Sequence, residues 1–366
     1  MNKEVTFRQI TFMYLFISLS PIMRQIPSAL AEEAGRSGYL SPIWSLIAVV
    51  PLTAIIISLL KTFPGFNIYE IMIQLVGKFL AKFFILCYML WILLAIAAKV
   101  NAYSQTLQLT LMPQTRSNFF FIMMIILLYY ALLRGIKTVF RFSEFTLGTI
   151  FFLILLLMVF ALTKLRTDYL LPISTTHLPS TILASKNVIA VGGNIIIALF
   201  FSDKFGILIT KVQMRKLWIG VLIFTVLTFV ITLFTFGITG AGFTASLPFP
   251  FYITVKSISL FNIFERFEVI ITLICVISDF ISICIFSILL LRCFEWLFNI
   301  KQSSFLYVPF IMIVFYLTYY ISSTQFELNF LYRYIIVNLN LIFMYLIPLF
   351  LAIVCLFHKG IIKKQY

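Results

Sequence analysis

The sequence predicts an all-α membrane protein: ten transmembrane helices forming two inverted five-helix repeats, with broken helices 1 and 6. Three observations carry that expectation. Of 366 residues, 62% are hydrophobic and only 11% charged, with a mean hydropathy of +1.10, whereas soluble domains hold about 45–50% apolar and about 25% charged residues. Apolar runs recur from Phe7 to Phe357 with connections too short for a separate soluble domain, so residues 1–366 form one integral membrane unit. The two spans that carry helix-breaking residues also stand five apart, the spacing that a pair of inverted five-helix repeats requires.

Hydropathy windows of about 19 residues place the first repeat's spans at Phe7–Leu30, Leu40–Leu60, Phe83–Met112, Asn118–Leu133 and Phe145–Lys164. The second repeat's lie at Asn187–Ser202, Leu217–Gly240, Phe267–Leu291, Phe305–Ile321 and Tyr334–Phe357. The net charge of +15 then becomes a topological signal rather than a nucleic-acid footprint. With the N-terminus cytoplasmic, the inner segments hold Lys3, Arg8, Lys61, Lys78, Lys82, Arg134, Lys137, Arg141, Lys204, Lys211, Arg215, Lys216, Arg292, Lys301, Lys359, Lys363 and Lys364. Arg24 and Lys99 fall inside spans, and the longer outer loops hold the few remaining basic residues. Both termini are therefore expected inside.

In the first span Ser18-Leu19-Ser20-Pro21 stands near the middle. Pro21 removes an amide donor, and the serines offer hydroxyls to freed carbonyls. Lys3 and Arg8, an apolar stretch and Ala29-Leu30-Ala31 also resemble a secretory signal. Arg24 and Pro27 interrupt that pattern, and the segment is long enough to span, so a retained helix is expected. The third span, about 45 Å long if helical against a hydrocarbon core of about 30 Å, must tilt or leave the bilayer. It carries Lys99, Asn101, Tyr103, Ser104, Gln105 and Gln108, a polar face that belongs against other helices or a cavity.

The sixth span begins its break at Gly192-Gly193-Asn194, where paired glycines relax the backbone and an amide offers both donor and acceptor. In the eighth, Asp279 lies mid-span between Ser278 and Ser282, and a carboxylate there needs a partner. Lys99 is the first candidate and Arg24 the second. The expected ligand site is thus Ser18, Ser20 and Pro21, Tyr103, Gly192, Gly193 and Asn194, and Ser278 and Ser282, with Lys99, Asp279 and Arg24 as an ion-pair or gating element. A static ion pair that only holds the bundle together is the alternative for those three.

No catalytic residues, cofactor or metal are expected. The five cysteines, all in or beside apolar spans without CxxC spacing, read as small buried hydrophobes. His177 and His358 stand alone, and Gly240-Ala241-Gly242-Phe243-Thr244-Ala245 matches a dinucleotide pattern but follows a membrane helix rather than a strand. No nucleophile stands with a base, and an enzyme acting on lipid-linked substrates would want clustered acids or histidines at one interface, which the chain lacks.

Several short motifs in order resemble the permease-like B subunits of spore nutrient germinant receptors, within the amino acid/polyamine/organocation permease superfamily. They are Ala34-Gly35 with Tyr39-Leu40 after the first span, Arg134-Gly135-Ile136 with Arg141 and Glu144, Leu170-Leu171-Pro172, Gly192-Gly193-Asn194, Leu247-Pro248-Phe249-Pro250 and Glu265-Arg266-Phe267-Glu268. Tyr39 stands where tryptophan is more usual, Ser37 replaces an acidic residue, and Lys137 stands where an acid is common. The resemblance implies the inverted-repeat amino-acid permease fold, a nutrient ligand such as an amino acid, partnership with germinant receptor A and C subunits, and residence in the spore inner membrane. A secondary amino acid transporter without a signalling role is the rival reading.

Overall fold

The computed structural model describes residues 5–171, 178–205, 210–258, 267–300, 304–321 and 324–362. Pro172, His177, Glu265 and Arg266 lie outside them. Every regular element among the described residues is helical. Among the described residues, nine helical stretches are long and apolar enough to cross a membrane. One of the nine, Ile26–Thr62, runs through the tight Gly35–Leu40 turn. Phe7–Arg24 is not among them, because its 18 residues include Arg8, Gln9 and Arg24.

The chain begins with α1 (Phe7–Arg24) and α2 (Ile26–Ala34), joined at Gln25. Next come α3 (Leu46–Thr62), the short amphipathic α4 (Ile68–Val76), α5 (Lys78–Thr110), α6 (Ser117–Arg134) and α7 (Ile136–Ala161). Beyond these lie α8 (Leu178–Gly192), α9 (Lys211–Thr239), α10 (Glu268–Phe298) and α11 (Tyr307–Ile321). The last helical run starts at Gln325–Phe330. It passes through two π-helical turns, Leu331–Ile336 and Ile342–Leu346, and ends with Ile347–Ile362. At 33 residues α5 is about 50 Å long.

Polar residues at the helix ends set the boundaries. Thr6 with Gln9, Asn67 with Glu70, Thr210 with Gln213 and Thr324 with Glu327 each form a reciprocal capping box. Gly77 and Gly135, at φ 85° and 78°, turn the chain out of one helix and into the next. Threonines inside the spans satisfy themselves: Thr225, Thr228, Thr232 and Thr235 of α9 donate to carbonyls one turn back.

The outer surface is apolar, with Phe79, Phe145 and Phe357 more than 80% exposed. Arg24, Lys99, Asp279 and many serine and threonine hydroxyls of the spans are buried instead. At the centre α1 packs against α9 and α10, α5 against α10, and α2 against α8. Four of the five cysteines are buried and Cys87 is half-buried.

Both expected helix breaks are milder than the sequence suggests. Helix α1 continues through Pro21 and bends at Gln25, a turn later than the Ser-Leu-Ser-Pro stretch. A neighbour bridges the rung immediately before the proline. The Ser278 hydroxyl of α10 accepts from the Ser20 amide at 3.2 Å and donates to the Phe16 carbonyl at 2.6 Å, standing between two groups that would ordinarily bond each other. In the sixth span the helix tightens to a 3-10 turn at Gly193–Ile196 rather than opening. Gly192 keeps ordinary right-handed dihedrals, so the paired glycines serve close packing and not backbone freedom. A methyl at Gly192 would lie 2.6 Å from Val49, and one at Gly193 2.7 Å from both Met344 and Tyr345.

Candidate ligand-binding cavity

A cavity of about 170 Å³ opens where the bend at Gln25 and the 3-10 turn of the sixth span approach each other. Pro21, Gln25 and Ser28 line it from the first two helices, Lys99 from α5, and Asn187 and Asn194 from the sixth span. Phe286 enters from α10, Ala245 to Pro248 from the loop after α9, and the last helix contributes Tyr332, Arg333, Ile336, Val337, Asn340 and Met344.

Its polar groups divide into engaged and available ones. Asn340 is engaged, donating to the Ala190 carbonyl at 3.2 Å and accepting from the Trp91 indole at 3.0 Å. It ties the third, sixth and last spans together. Asn187 and Asn194 spend Nδ2 on the carbonyls of Ala184 and Val191, at 3.2 and 2.8 Å. Each anchors an amide whose oxygen has no donor among the described residues. The Gln25 Oε1 is buried without a hydrogen-bond partner. The Lys99 ammonium is buried, lies 5.6 Å from the centre of the Phe286 ring, and has no carboxylate within ion-pair reach among the described residues. A buried ammonium without a counter-ion beside a cavity favours an anionic group there.

Of the residues expected at the site, Pro21, Asn194 and Lys99 line this cavity. Ser18 is buried with its hydroxyl on the Tyr14 carbonyl. Ser20, Ser278 and Ser282 form the joint between α1 and α10, where Ser282 donates to the Ser278 carbonyl at 2.7 Å. Gly192 and Gly193 lie behind the wall, against Val49 and Met344. Tyr103 is buried on α5 and does not line the cavity.

The expected Lys99–Asp279 pair is replaced by Arg24–Asp279. Arg24 Nη2 donates to Oδ1 at 3.0 Å, and Nη1 lies 2.9 Å from Oδ2 without hydrogen-bond alignment. Nη1 also donates to the Ala102 carbonyl at 3.0 Å and the Thr106 hydroxyl at 2.6 Å. With five donors in a fixed planar fork, the guanidinium serves a carboxylate, a carbonyl and a hydroxyl from one orientation. Arg24 thus joins α1, α5 and α10 at one point, and Lys99 is left to the cavity.

Ion pairs brace both ends. Near the α2 end, Glu33 pairs with Lys186 at 3.2 Å and Glu32 with Arg333. At the other end, Arg8 pairs with Glu144 at 2.8 Å. There Arg292 also holds both oxygens of Asp203 and the Phe200 carbonyl, its guanidinium 5.1 Å over the rings of Phe201 and Trp296. Sequence reading passed over Gln25, Asn187 and the whole last helix. The one available signal was the polar series Asn329, Arg333 and Asn340 in an otherwise apolar span.

Among solved structures, a histidine-to-alanine mutant of the Eremococcus coleocola manganese transporter is similar, with a TM-score of 0.64 and 14% identity over 94% of this chain and 78% of that one. At that identity the likeness concerns the fold, which is the transporter fold. No curated protein matches the sequence. The family model described as spore germination protein matches residues 4–330. A multi-pass helical chain with a transporter fold and a polar cavity at its helix interruptions, matched by that model over nearly its whole length, belongs to the spore germination protein family of permeases.

Proposed function

We propose that the chain is the integral membrane subunit of a spore nutrient germinant receptor, binding a small nutrient in the cavity and transmitting its presence to the germinant receptor A and C subunits. The nutrient is a zwitterion of the amino acid kind. Its carboxylate is received by Lys99 and its ammonium by the amide oxygens of Gln25, Asn187 and Asn194. In this reading α1 with α2 forms one span and α3 the next, giving ten spans in two inverted repeats about Gln25 and Gly193, with both termini cytoplasmic and the whole in the spore inner membrane. The carrying observation is Lys99, a buried cation beside the cavity with no carboxylate in ion-pair reach among the described residues.

Occupation by an anion changes the electrostatics among the first, third and sixth spans, and a two-state packing of these helices responds in proportion to the ligand's differential affinity. The manganese of the structural neighbour is not carried over, since amides and a lysine suit an organic zwitterion better than a divalent cation. The test is germination of a deletion strain complemented with Lys99→Met or Lys99→Arg, scored across amino acids and their carboxamides. Loss of response to carboxylates in Lys99→Met, with partial retention in Lys99→Arg, is the expected result. Normal germination by Lys99→Met refutes the site. The transporter fold supports a second reading, secondary transport. Uptake of labelled amino acid by proteoliposomes containing this chain alone supports that alternative.

A further inference from the structure

The last helix lies largely beyond residues 4–330, the region matched by the family model, yet it supplies more of the cavity wall than any other element. Two of its polar members are already committed, Asn340 to Ala190 and Trp91, and Arg333 to Glu32. What Ile336, Val337 and Met344 add is apolar surface. Ile336 and Met344 belong to the two π-helical turns, Leu331–Ile336 and Ile342–Leu346, a helix type that gathers at functional sites. Met344 is held from behind: the missing side chain at Gly193 lets the backbones close until even a methyl there would stand 2.7 Å from the Met344 Cβ. Beside it, the Tyr345 hydroxyl is pinned to the Ile189 carbonyl at 2.7 Å. The position of Met344 is therefore set by packing, and its side chain limits the cavity.

We infer that Met344, assisted by Ile336, is the specificity-determining wall that reads the length of the ligand's apolar substituent, while the polar groups of the earlier spans hold its charged end. This rests on the cavity being the nutrient site. Truncating Met344 to alanine makes room for roughly two more methylenes, and a hydrophobic pocket separates ligands differing by one methylene by about tenfold or more.

The test is equilibrium binding of radiolabelled glycine, alanine, valine, leucine and norleucine to the purified full-length chain in nanodiscs. Met344→Ala is expected to move the preferred ligand to a longer side chain, changing the leucine-to-alanine affinity ratio about tenfold or more. Ile336→Val, a milder change that keeps the fold, should move the ratio the same way by less. Leu349→Ala, at a position 44% exposed on the same helix, should leave the order unchanged. An unchanged order in both Met344→Ala and Ile336→Val, with binding retained, overturns the wall and leaves the cavity as a nutrient site. If the wild-type chain binds no member of the series, the nutrient reading falls and takes the wall with it.

Discussion

Breaking the Arg24–Asp279 pair is expected to be the most destabilising single polar change in the core, and its two halves are not equivalent. Both side chains are buried, at 3% and 1% exposure, and removing one partner of such a pair costs about 3–5 kcal/mol because an uncompensated charge remains. Asp279→Ala leaves a guanidinium that cannot shed its proton, with the Ala102 carbonyl and Thr106 hydroxyl as its remaining partners. It belongs at the upper end of that range. Arg24→Met leaves the Asp279 carboxylate without its guanidinium. The Ala102 carbonyl then loses Arg24 but keeps the Thr106 hydroxyl at 2.6 Å, so that buried acceptor is not orphaned and this loss belongs at the lower end of the range. The double variant Arg24→Met with Asp279→Leu removes both charges and should recover most of the loss, ending within about 2 kcal/mol of wild type. Unfolding of the purified chain in mixed micelles, followed by tryptophan fluorescence, reads all three. Single losses below about 1 kcal/mol, or a double loss equal to the sum of the singles, would refute the view of this pair as a buried, mutually dependent charge site.

Three further outcomes follow from the same geometry. Ser278→Ala takes away the hydroxyl between the Ser20 amide and the Phe16 carbonyl and should cost about 1–3 kcal/mol in the same unfolding assay; a change within experimental scatter means that α1 re-forms its own ladder across Pro21. Gly193→Ala puts a methyl 2.7 Å from Met344 and Tyr345, and overpacking of this kind costs about 1–3 kcal/mol. A melting temperature equal to wild type would show that the last helix is free to retreat. Glu32→Gln combined with Glu33→Gln unties α2 from Arg333 and Lys186. In that background a thiol introduced by Ser28→Cys at the cavity wall should react with a water-soluble maleimide several-fold faster, and an unaltered rate counts against α2 as the restraint on entry.

Much of the architecture was readable before any coordinates, because the physics is local. A run of apolar residues in lipid has to be helical to satisfy its own backbone, so most of the spans followed from hydropathy, Phe7–Arg24 being the exception. Span ends were less readable. Helix α5 begins at Lys78 and α7 at Ile136, several residues before the apolar core of each, since a helix outlasts its hydrocarbon portion wherever a glycine such as Gly77 or Gly135 supplies the turn. Gly192 and Gly193 were noticed for the right position and the wrong reason. Their sequence suggests a loosened backbone, while their neighbours Val49 and Met344 reveal a need for close approach.

The pairing of charges is the clearest case of what sequence leaves open. Lys99, Arg24 and Asp279 could each be recognised as costly in lipid and in want of a partner, which is a property of one residue in one solvent. Which cation meets Asp279 depends on where three helices cross, and there Arg24 can serve Asp279, Ala102 and Thr106 at once. That choice leaves Lys99 to the cavity and gives the cavity its character. Composition and periodicity therefore determined a helical membrane chain with polar groups seeking company. Only the tertiary packing decided which of them found it, because the energy of a buried charge resides in contacts between segments far apart in the chain.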